Sequence, residues 1–227
     1  AVLVIAAMLL AVSTSRGEQR LYIFFPTTIR SNVLQEKIEK ENPSLSVTVF
    51  ARHKDFIAQV SFDPPEGIIT KPMLRPQLTG YSAIAAGRSD ERTTERYLLV
   101  GFAPASLKDI TEKTIGIVDI LGRSAMEEFV TGMFSLSPRR IKRVIKVEDL
   151  LPLLMFRMAD AVVVTPQQFD YLQTTSRQTM YSTVIPGAEH GIVSLFSRGG
   201  MHAAQLRTQV QSLSSEINDY FGVDSWE

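Results

Sequence analysis

Residues 114–172 constrain the fold of this chain more than any other segment of the sequence. Three short segments predict strands, two of them mainly apolar, and they alternate with stretches that are long enough for helices. The predicted strands are Thr114–Val118, residues 141–147 and Ala161–Val164. Parallel neighbours need crossovers of about a dozen residues or more, usually helical, and this segment provides them. It therefore predicts an α/β unit built on a parallel sheet with right-handed crossovers.

The helices of this unit are predicted from apolar spacing. In residues 124–134, apolar side chains recur at helical intervals and form one face: Met126, Phe129, Val130 and Met133. Residues 148–158 are apolar on most sides, which indicates a buried helix. A shorter helix is expected over residues 167–172.

Strand and helix patterns also flank this unit on both sides. Before it, strands are predicted at residues 21–25, 45–51, 66–70, 81–86 and 96–102, and helices at 32–41 and 53–61. The polar residues 87–95 are expected to form an exposed hairpin loop. After it, strands are predicted at residues 179–186 and 190–196, and one long helix at 201–221.

This order predicts an α/β protein of two lobes, each a mostly parallel sheet flanked by helices. Lobe 1 would comprise residues 20–103 and 183–227, and lobe 2 would be the inserted residues 104–182. Two chain crossings would then join the lobes, an arrangement that permits hinge closure around a ligand. The apolar seam of the C-terminal helix lasts only about two heptads, which favours packing on lobe 1 over a coiled-coil dimer, so we expect a monomer.

The first 17 residues predict a secretory signal peptide. Residues 1–12 form an unbroken apolar run, followed by small and polar residues. Twelve helical residues span about 18 Å, too short for roughly 30 Å of hydrocarbon. A buried first helix or strand is the alternative. The signal peptide predicts a periplasmic or secreted protein.

Composition argues against several classes of function. The chain has no cysteine, which removes thiolate catalysis and cysteine metal sites, and its three histidines lack zinc-ligand spacing. Its 24 basic and 24 acidic side chains argue against a nucleic-acid binder. There is no Gly-rich P-loop and no G-x-S-x-G elbow, and Asp119 and Asp160 fit strand-end roles. We therefore expect no catalysis, no cofactor and no metal.

Two phrases of the sequence carry a resemblance to a known family. The first runs from Ala105-Ser106-Leu107-Lys108-Asp109 to Gly116-Ile117-Val118-Asp119, with Leu121-Gly122-Arg123-Ser124-Ala125 at the following helix start. The second is Met158-Ala159-Asp160-Ala161-Val162. With the order of elements, these resemble type 2 periplasmic solute-binding proteins, in particular the phosphate/phosphonate-binding branch of ABC-transporter receptors.

The resemblance implies a function as well as a fold. A small polar solute, anionic or zwitterionic, would bind in the cleft between the lobes, for delivery to a membrane transporter or for sensing. One alternative on the same fold is a non-catalytic envelope scaffold or regulatory module. A transferase is the less favoured alternative.

Open parallel sheets bind ligands beyond the carboxyl ends of their strands, so we expect the ligand-binding residues at the ends of the predicted strands. The candidate residues are Thr27, Thr28, Ser31, Thr70, Lys71, Tyr81, Gly122, Arg123, Ser124 and Thr165. Hydroxyls, an Arg and helix N-termini at these points suit an anionic group.

Local structural roles compete with ligand binding at several of these positions. Ser124 with Glu127 matches a capping box, and Thr165 before a proline matches a helix start. The threonines after the first strand suit a turn, Lys71 suits a surface, and Tyr81 suits a half-buried strand. A basic cluster is interpreted as a solvated strand edge: Arg139, Arg140, Lys142, Arg143 and Lys146.

Overall fold

Residues 19–227 are described by a computed structural model, in which two separate mixed sheets organise the chain. The predicted signal peptide lies outside these residues. Among the described residues, no helix is long and apolar enough to cross a membrane.

The strands alternate with helices along most of the chain. The strands are β1 (Gln19–Phe24), β2 (Leu45–Val49), β3 (Gly67–Thr70), β4 (Ser82–Arg88), β5 (Thr94–Gly101), β6 (Thr114–Val118), β7 (Arg140–Val144), β8 (Ala161–Val164), β9 (Tyr181–Gly191), β10 (Ser194–Ser197) and β11 (Ser225–Trp226). The α-helices are α1 (Ser31–Glu41), α2 (His53–Phe62), α3 (Arg123–Phe134), α4 (Leu150–Met155), α5 (Pro166–Thr175), α6 (Met201–Gln211) and α7 (Ser215–Phe221). Three 3-10 helices occupy Pro72–Gln77, Leu107–Glu112 and Val147–Asp149.

The first sheet has the strand order β11-β4-β10-β3-β1-β2. Strands β2 and β3 run parallel to β1, whereas β10, β4 and β11 pair antiparallel. Alternate side chains of β1 enter two different apolar clusters. Leu21 and Ile23 pack with α1, α6 and α7, and Tyr22 and Phe24 pack with α2. Helices thus cover both faces of this sheet, as expected for strands that are apolar throughout.

The second sheet has the order β7-β6-β8-β5-β9. The three strands predicted from residues 114–172 form its parallel part, and β5 and β9 complete it in antiparallel pairing. Gly116 is central to the packing, because a Cβ there would lie 2.9 Å from atoms of both Leu153 and Val162. Helix α4 therefore packs closely on β6 only where the strand has no side chain. The predicted fold class of two helix-flanked lobes is confirmed.

The chain passes between the sheets at residues 89–93 and 192–193. The predicted hairpin of β4 and β5 is wrong, because these strands belong to different sheets and only a single bridge joins Ser89 to Arg92. Strand pairing assigns both β5 and β9 to the second sheet, although residues 96–102 and 183–191 were predicted within lobe 1. We call the first sheet with its helices lobe 1 and the second sheet with its helices lobe 2. Consecutive strands often pair, which is why the sequence favoured a hairpin. The lobe division otherwise stays a prediction.

Two predicted helices are shorter than expected. The helix predicted over residues 201–221 breaks into α6 and α7, because the Ser214 hydroxyl accepts a hydrogen bond from the Ile217 N–H and starts a new helix. The helix predicted over residues 148–158 is a 3-10 turn followed by α4. It ends where Arg157 adopts a left-handed conformation with φ 53°.

Candidate functional site

The lobes meet at an interface whose centre is apolar and filled. Pro26, from the loop after β1, faces side chains of lobe 2 that include Tyr97, Met126 and Phe129. The void among them is about 10 Å³, at the lower limit for holding one water molecule. Burial raises the pKa of Tyr97 far above its ordinary value, and Glu95 adds to the effect. A solute cannot bind at the centre while the lobes are in this arrangement.

The base of the interface, beside the chain crossings, holds a buried ion pair. The Lys71 ammonium of lobe 1 donates to the Glu95 carboxylate of lobe 2, and the two side chains are only 7% and 13% exposed. His190 lies opposite Glu95 on β9, and its ring contacts Phe129 at a centroid distance of 4.8 Å. Burial lowers the pKa of His190, and the charge of Lys71 lowers it further. The carboxylate and the ammonium at this point neutralise each other.

At its flank the interface opens into a cationic cavity of about 330 Å³. Lobe 1 lines it with Arg52, His53 and Lys54 at the start of α2. Lobe 2 lines it with Asp119, Gly122, Arg123, Arg143 and Ile145. Within the described chain, this lining combines four Arg or Lys side chains with one carboxylate. The flank therefore carries the unbalanced positive charge that the centre and the base lack.

Two helices begin at this cavity without a side-chain cap. Arg52 precedes α2 and Gly122 precedes α3, and in the described part of the chain neither first turn donates an N–H to a capping side chain. The N–H groups of a first turn carry partial positive charge and are satisfied by water, by a cap or by a ligand. The sequence-predicted cap at Ser124 is not formed, because the helix already begins at Arg123. Both helix ends thus face the same cationic space.

Two hydrogen-bond networks fix the walls of the cavity. The Asp119 carboxylate accepts from the Gly122 N–H at 2.8 Å and from the Arg143 guanidinium at 2.5 Å, so it orients the start of α3. Within lobe 1, His53 Nε2 lies 2.6 Å from Gln77 Oε1, and Gln77 Nε2 donates across the interface to the Leu121 carbonyl at 3.0 Å. Gly122 has φ 81°, and a Cβ there would lie 3.0 Å from the His53 ring. Only glycine permits this approach without strain.

A second interlobe cavity of about 290 Å³ lies beside the first, and Ile145 lines both. Its lobe 1 wall comes from the loop after β1 and the start of α1, including Thr27, Arg30 and Ser31. Lys146 and Glu148 line it from lobe 2. We call the two cavities together the flank of the interface.

A larger cavity of about 620 Å³ lies by the chain crossings rather than at the strand exits. Charges of both signs line it, and Arg96 and Glu189 within it already pair at 2.8 Å. This cavity therefore does not favour ligands of one charge over the other.

Comparisons with known proteins bear on the fold. No family model matches the sequence, and no curated protein matches it either. Similar solved structures include the binding protein component of an ABC phosphonate transporter from Pseudomonas aeruginosa, with TM-score 0.65 and 12% identity over 92% of this chain and 80% of that one. The BvgS VFT2 domain from Bordetella pertussis has TM-score 0.60 and 12% identity, covering 90% and 91%.

A third similar structure is an amino acid ABC transporter substrate-binding protein from Streptococcus pneumoniae bound to L-arginine, with TM-score 0.59, 13% identity and coverage of 92% and 94%. The chain has the two-lobed periplasmic-binding-protein fold. At these identities the likeness shows the fold alone, and function resides in the site.

On this periplasmic-binding-protein fold, four of the predicted ligand residues lie at the flank. Gly122 and Arg123 line the cationic cavity, and Thr27 and Ser31 line the neighbouring one. Thr27 also serves its own turn, since its hydroxyl accepts from the Ile29 N–H at 3.3 Å. Ligand roles for these four residues stay predictions.

The other predicted residues have structural partners or lie elsewhere. Thr70 is buried and donates to the Phe24 carbonyl at 2.5 Å. The Tyr81 hydroxyl donates to the Pro65 carbonyl at 2.7 Å, and Thr165 forms a capping box with Gln168 at the start of α5. Lys71 is paired with Glu95 rather than exposed at the surface. Thr28 and Ser124 are exposed and line neither flank cavity.

Sequence reasoning missed the cationic residues of lobe 1. Arg52, His53 and Lys54 follow β2 directly, so the rule that selected the other strand exits would also have found them. Arg143 was predicted on a solvated strand edge. It does lie on the edge strand β7, but its guanidinium turns to Asp119 and lines the cavity.

Proposed function

We propose that this protein is an extracytoplasmic receptor that binds a small anionic or zwitterionic solute at the flank of its interlobe interface, without catalysis. The observation that carries the proposal is the 330 Å³ cavity, where four cationic side chains from two lobes face two uncapped helix starts. Helix N-termini and guanidinium groups favour oxyanions for the same electrostatic reason. Because both lobes line this cavity, a bound solute would contact both of them.

The size of the flank limits the solute. Small-molecule sites commonly enclose about 300–1,000 Å³, so the cationic cavity alone fits a compact solute. If the neighbouring cavity takes part, Thr27, Arg30 and Ser31 add hydroxyl and guanidinium donors. A compact phosphonate, phosphate, dicarboxylate or amino acid matches this space.

The similar structures give this proposal a context. They include binding proteins of ABC transporters for phosphonate and for amino acids, and one of these is bound to L-arginine. A phosphonate-like ligand fits the cationic lining better than a cationic amino acid does. We propose delivery to a membrane transporter or input to a sensor as the role, with a monomer as the working form and the predicted signal peptide as the route out of the cytoplasm.

A thermal-shift screen tests the proposal, followed by calorimetry of each compound that binds. Inorganic phosphate, methylphosphonate, succinate, glutamate and arginine cover the relevant charge types. A solute present at 100 times its Kd stabilises the folded state by about 2.7 kcal/mol, which the screen detects easily. If none of these solutes binds, receptor function at the flank is wrong.

Variants connect binding to the flank. Arg123→Gln should weaken binding of the best anion about tenfold or more, because a charge-assisted hydrogen bond contributes about 1.5–3 kcal/mol. Arg177→Gln is the matched control, since Arg177 is exposed at the end of α5, away from the flank lining. Equal losses in both variants would indicate a general charge effect and not a site.

A second candidate function is a non-catalytic regulatory or scaffold module of the envelope. The filled apolar centre favours it, because lobes that already pack together need no solute to hold them. The same screen separates the candidates. A module without a ligand shows no solute-dependent rise in melting temperature and no effect of Arg123→Gln beyond that of the control.

A further inference from the structure

We infer that the protein alone, without any solute, rests with its lobes closed and held together by its own side chains. This inference does not depend on the proposed function, since it concerns the conformation that precedes any binding. Three separate contacts across the interface carry it: a cluster of apolar side chains, a buried ion pair and a hydrogen bond from Gln77 to the Leu121 carbonyl.

The apolar cluster supplies the driving force for closure. One continuous cluster of buried side chains contains residues of both lobes, including Phe24 and Phe56 from lobe 1 and Val163 and Met126 from lobe 2. Pro26 of lobe 1 lies beside Tyr97 and Phe129 of lobe 2, and the void between these side chains is about 10 Å³. Opening the lobes would expose part of this apolar surface to water, at a cost proportional to its area.

The ion pair makes the closed arrangement specific. Lys71 and Glu95 are almost entirely removed from water, and each charge is compensated only while the other lobe is in place. Buried ion pairs add little net stability by themselves, but an uncompensated buried charge is costly. Removing either charge should therefore make the protein open so that water can hydrate the charge that remains.

Close packing at the base leaves no room for a side chain at Gly191. A Cβ on Gly191 of β9 would lie 2.4 Å from the ring of Pro72, which follows Lys71. The His53–Gln77–Leu121 hydrogen bonds close the opposite part of the interface. Contacts at the base, the centre and the flank thus hold the lobes in the closed state together.

Distance measurement between the lobes tests this inference directly. The chain contains no cysteine, so Lys40→Cys on α1 and Glu128→Cys on α3 give two exposed labelling sites, one on each lobe, without further changes. Spin labels at these sites should report one short-distance population in protein freed of small molecules by unfolding, dialysis and refolding. A distribution dominated by long or broad distances in that protein would overturn the inference.

Single neutralisations provide the second measurement. Lys71→Met and Glu95→Gln should each move most of the population to longer distances. Arg96→Met is the matched control, because the Arg96–Glu189 pair joins β5 to β9 within the second sheet and is half-exposed. It should leave the distances unchanged. If both neutralisations fold and keep the short distance, the role assigned to the ion pair in closure is wrong, and the apolar centre alone holds the lobes.

Gly191→Ala should separate the lobes without changing any charge. The added methyl group collides with Pro72, and folded protein should open at the base to relieve the contact. Gly132→Ala on α3 is its control, since nothing lies within 4 Å of a Cβ at that position. Circular dichroism identifies variants that fail to fold. A folded Gly191→Ala protein with wild-type distances would show that close packing of Gly191 on Pro72 is not needed for closure at the base.

Discussion

The centre and the flank of one interface differ in nearly every physical property. At the centre, α5 starts with its own capping box, side chains are apolar and the void is about 10 Å³. At the flank, α2 and α3 start without caps, side chains are cationic and the cavity is about 330 Å³. This difference indicates that closure of the lobes and recognition of a solute depend on separate parts of the interface. Groups satisfied within the protein hold the lobes, and groups with spare hydrogen-bonding capacity are available to a solute.

Substitution at the centre should have the largest effect on stability. Met126 is fully buried there, so Met126→Ala removes packed volume and should lower the free energy of unfolding by about 2–5 kcal/mol. Urea denaturation measures the loss. Met201→Ala is the control, because Met201 is 92% exposed and should cost almost nothing. A loss below about 1 kcal/mol for Met126→Ala would mean that the centre is not closely packed and would remove the contrast with the flank.

Much of the fold could be predicted because its strongest signals are local. In residues 114–172 two of the three strands are short, mainly apolar runs, and the stretches between the strands show helical apolar spacing, so local pattern identifies the unit. The assignment of β5 could not be predicted in the same way. Thr94–Gly101 has strand composition, but its partners on β8 and β9 lie 62 positions (Val100 with Val162) to 97 positions (Thr94 with Gly191) later. Pairing over such separations depends on the whole fold, whereas the hairpin prediction used only adjacent residues.

The candidate site was predicted in part for a similar reason. The strand-exit rule located Gly122 and Arg123 correctly at a cavity, since the parallel strand β6 ends there. It could not show that Lys71 is paired, because Glu95 lies on the other lobe. Nor could it distinguish Thr165, which caps α5, from Ser124, which does not cap α3. Ser124 lies inside α3 because that helix begins at Arg123, and the exact first residue of a helix decides which side chain can cap it.

The helix caps give a sharper test with smaller effects. Thr165→Ala should lower the free energy of unfolding by about 1 kcal/mol, because the Gln168 N–H loses its acceptor. Arg52→Asp should do the opposite. An acidic side chain before α2 can cap its first turn and complement its dipole, which should raise stability by up to about 1 kcal/mol.

The same Arg52→Asp variant should lose affinity for inorganic phosphate or methylphosphonate about tenfold or more, because it replaces a cation of the flank by an anion. Denaturation and calorimetry on one protein sample measure the two effects. Thr165→Ser is the control that keeps the capping oxygen and should retain wild-type stability. A stabilised Arg52→Asp protein with unchanged anion affinity would show that the uncapped start of α2 takes no part in recognition.

The smallest effect concerns the pH dependence of the base of the interface, where Lys71 pairs with Glu95. Burial, and then Lys71, hold the pKa of His190 below its ordinary value. As the pH falls through about 6.5, the unfolded chain therefore takes up a proton before the folded protein does. Stability should be fully present above this value and decline as the pH falls towards the lowered pKa of the folded state. Melting temperatures at about pH 7.5 and about pH 5 should differ less in His190→Gln than in the wild type. An equal or larger difference in the variant would mean that His190 is hydrated, and that the base is as open to water as the flank.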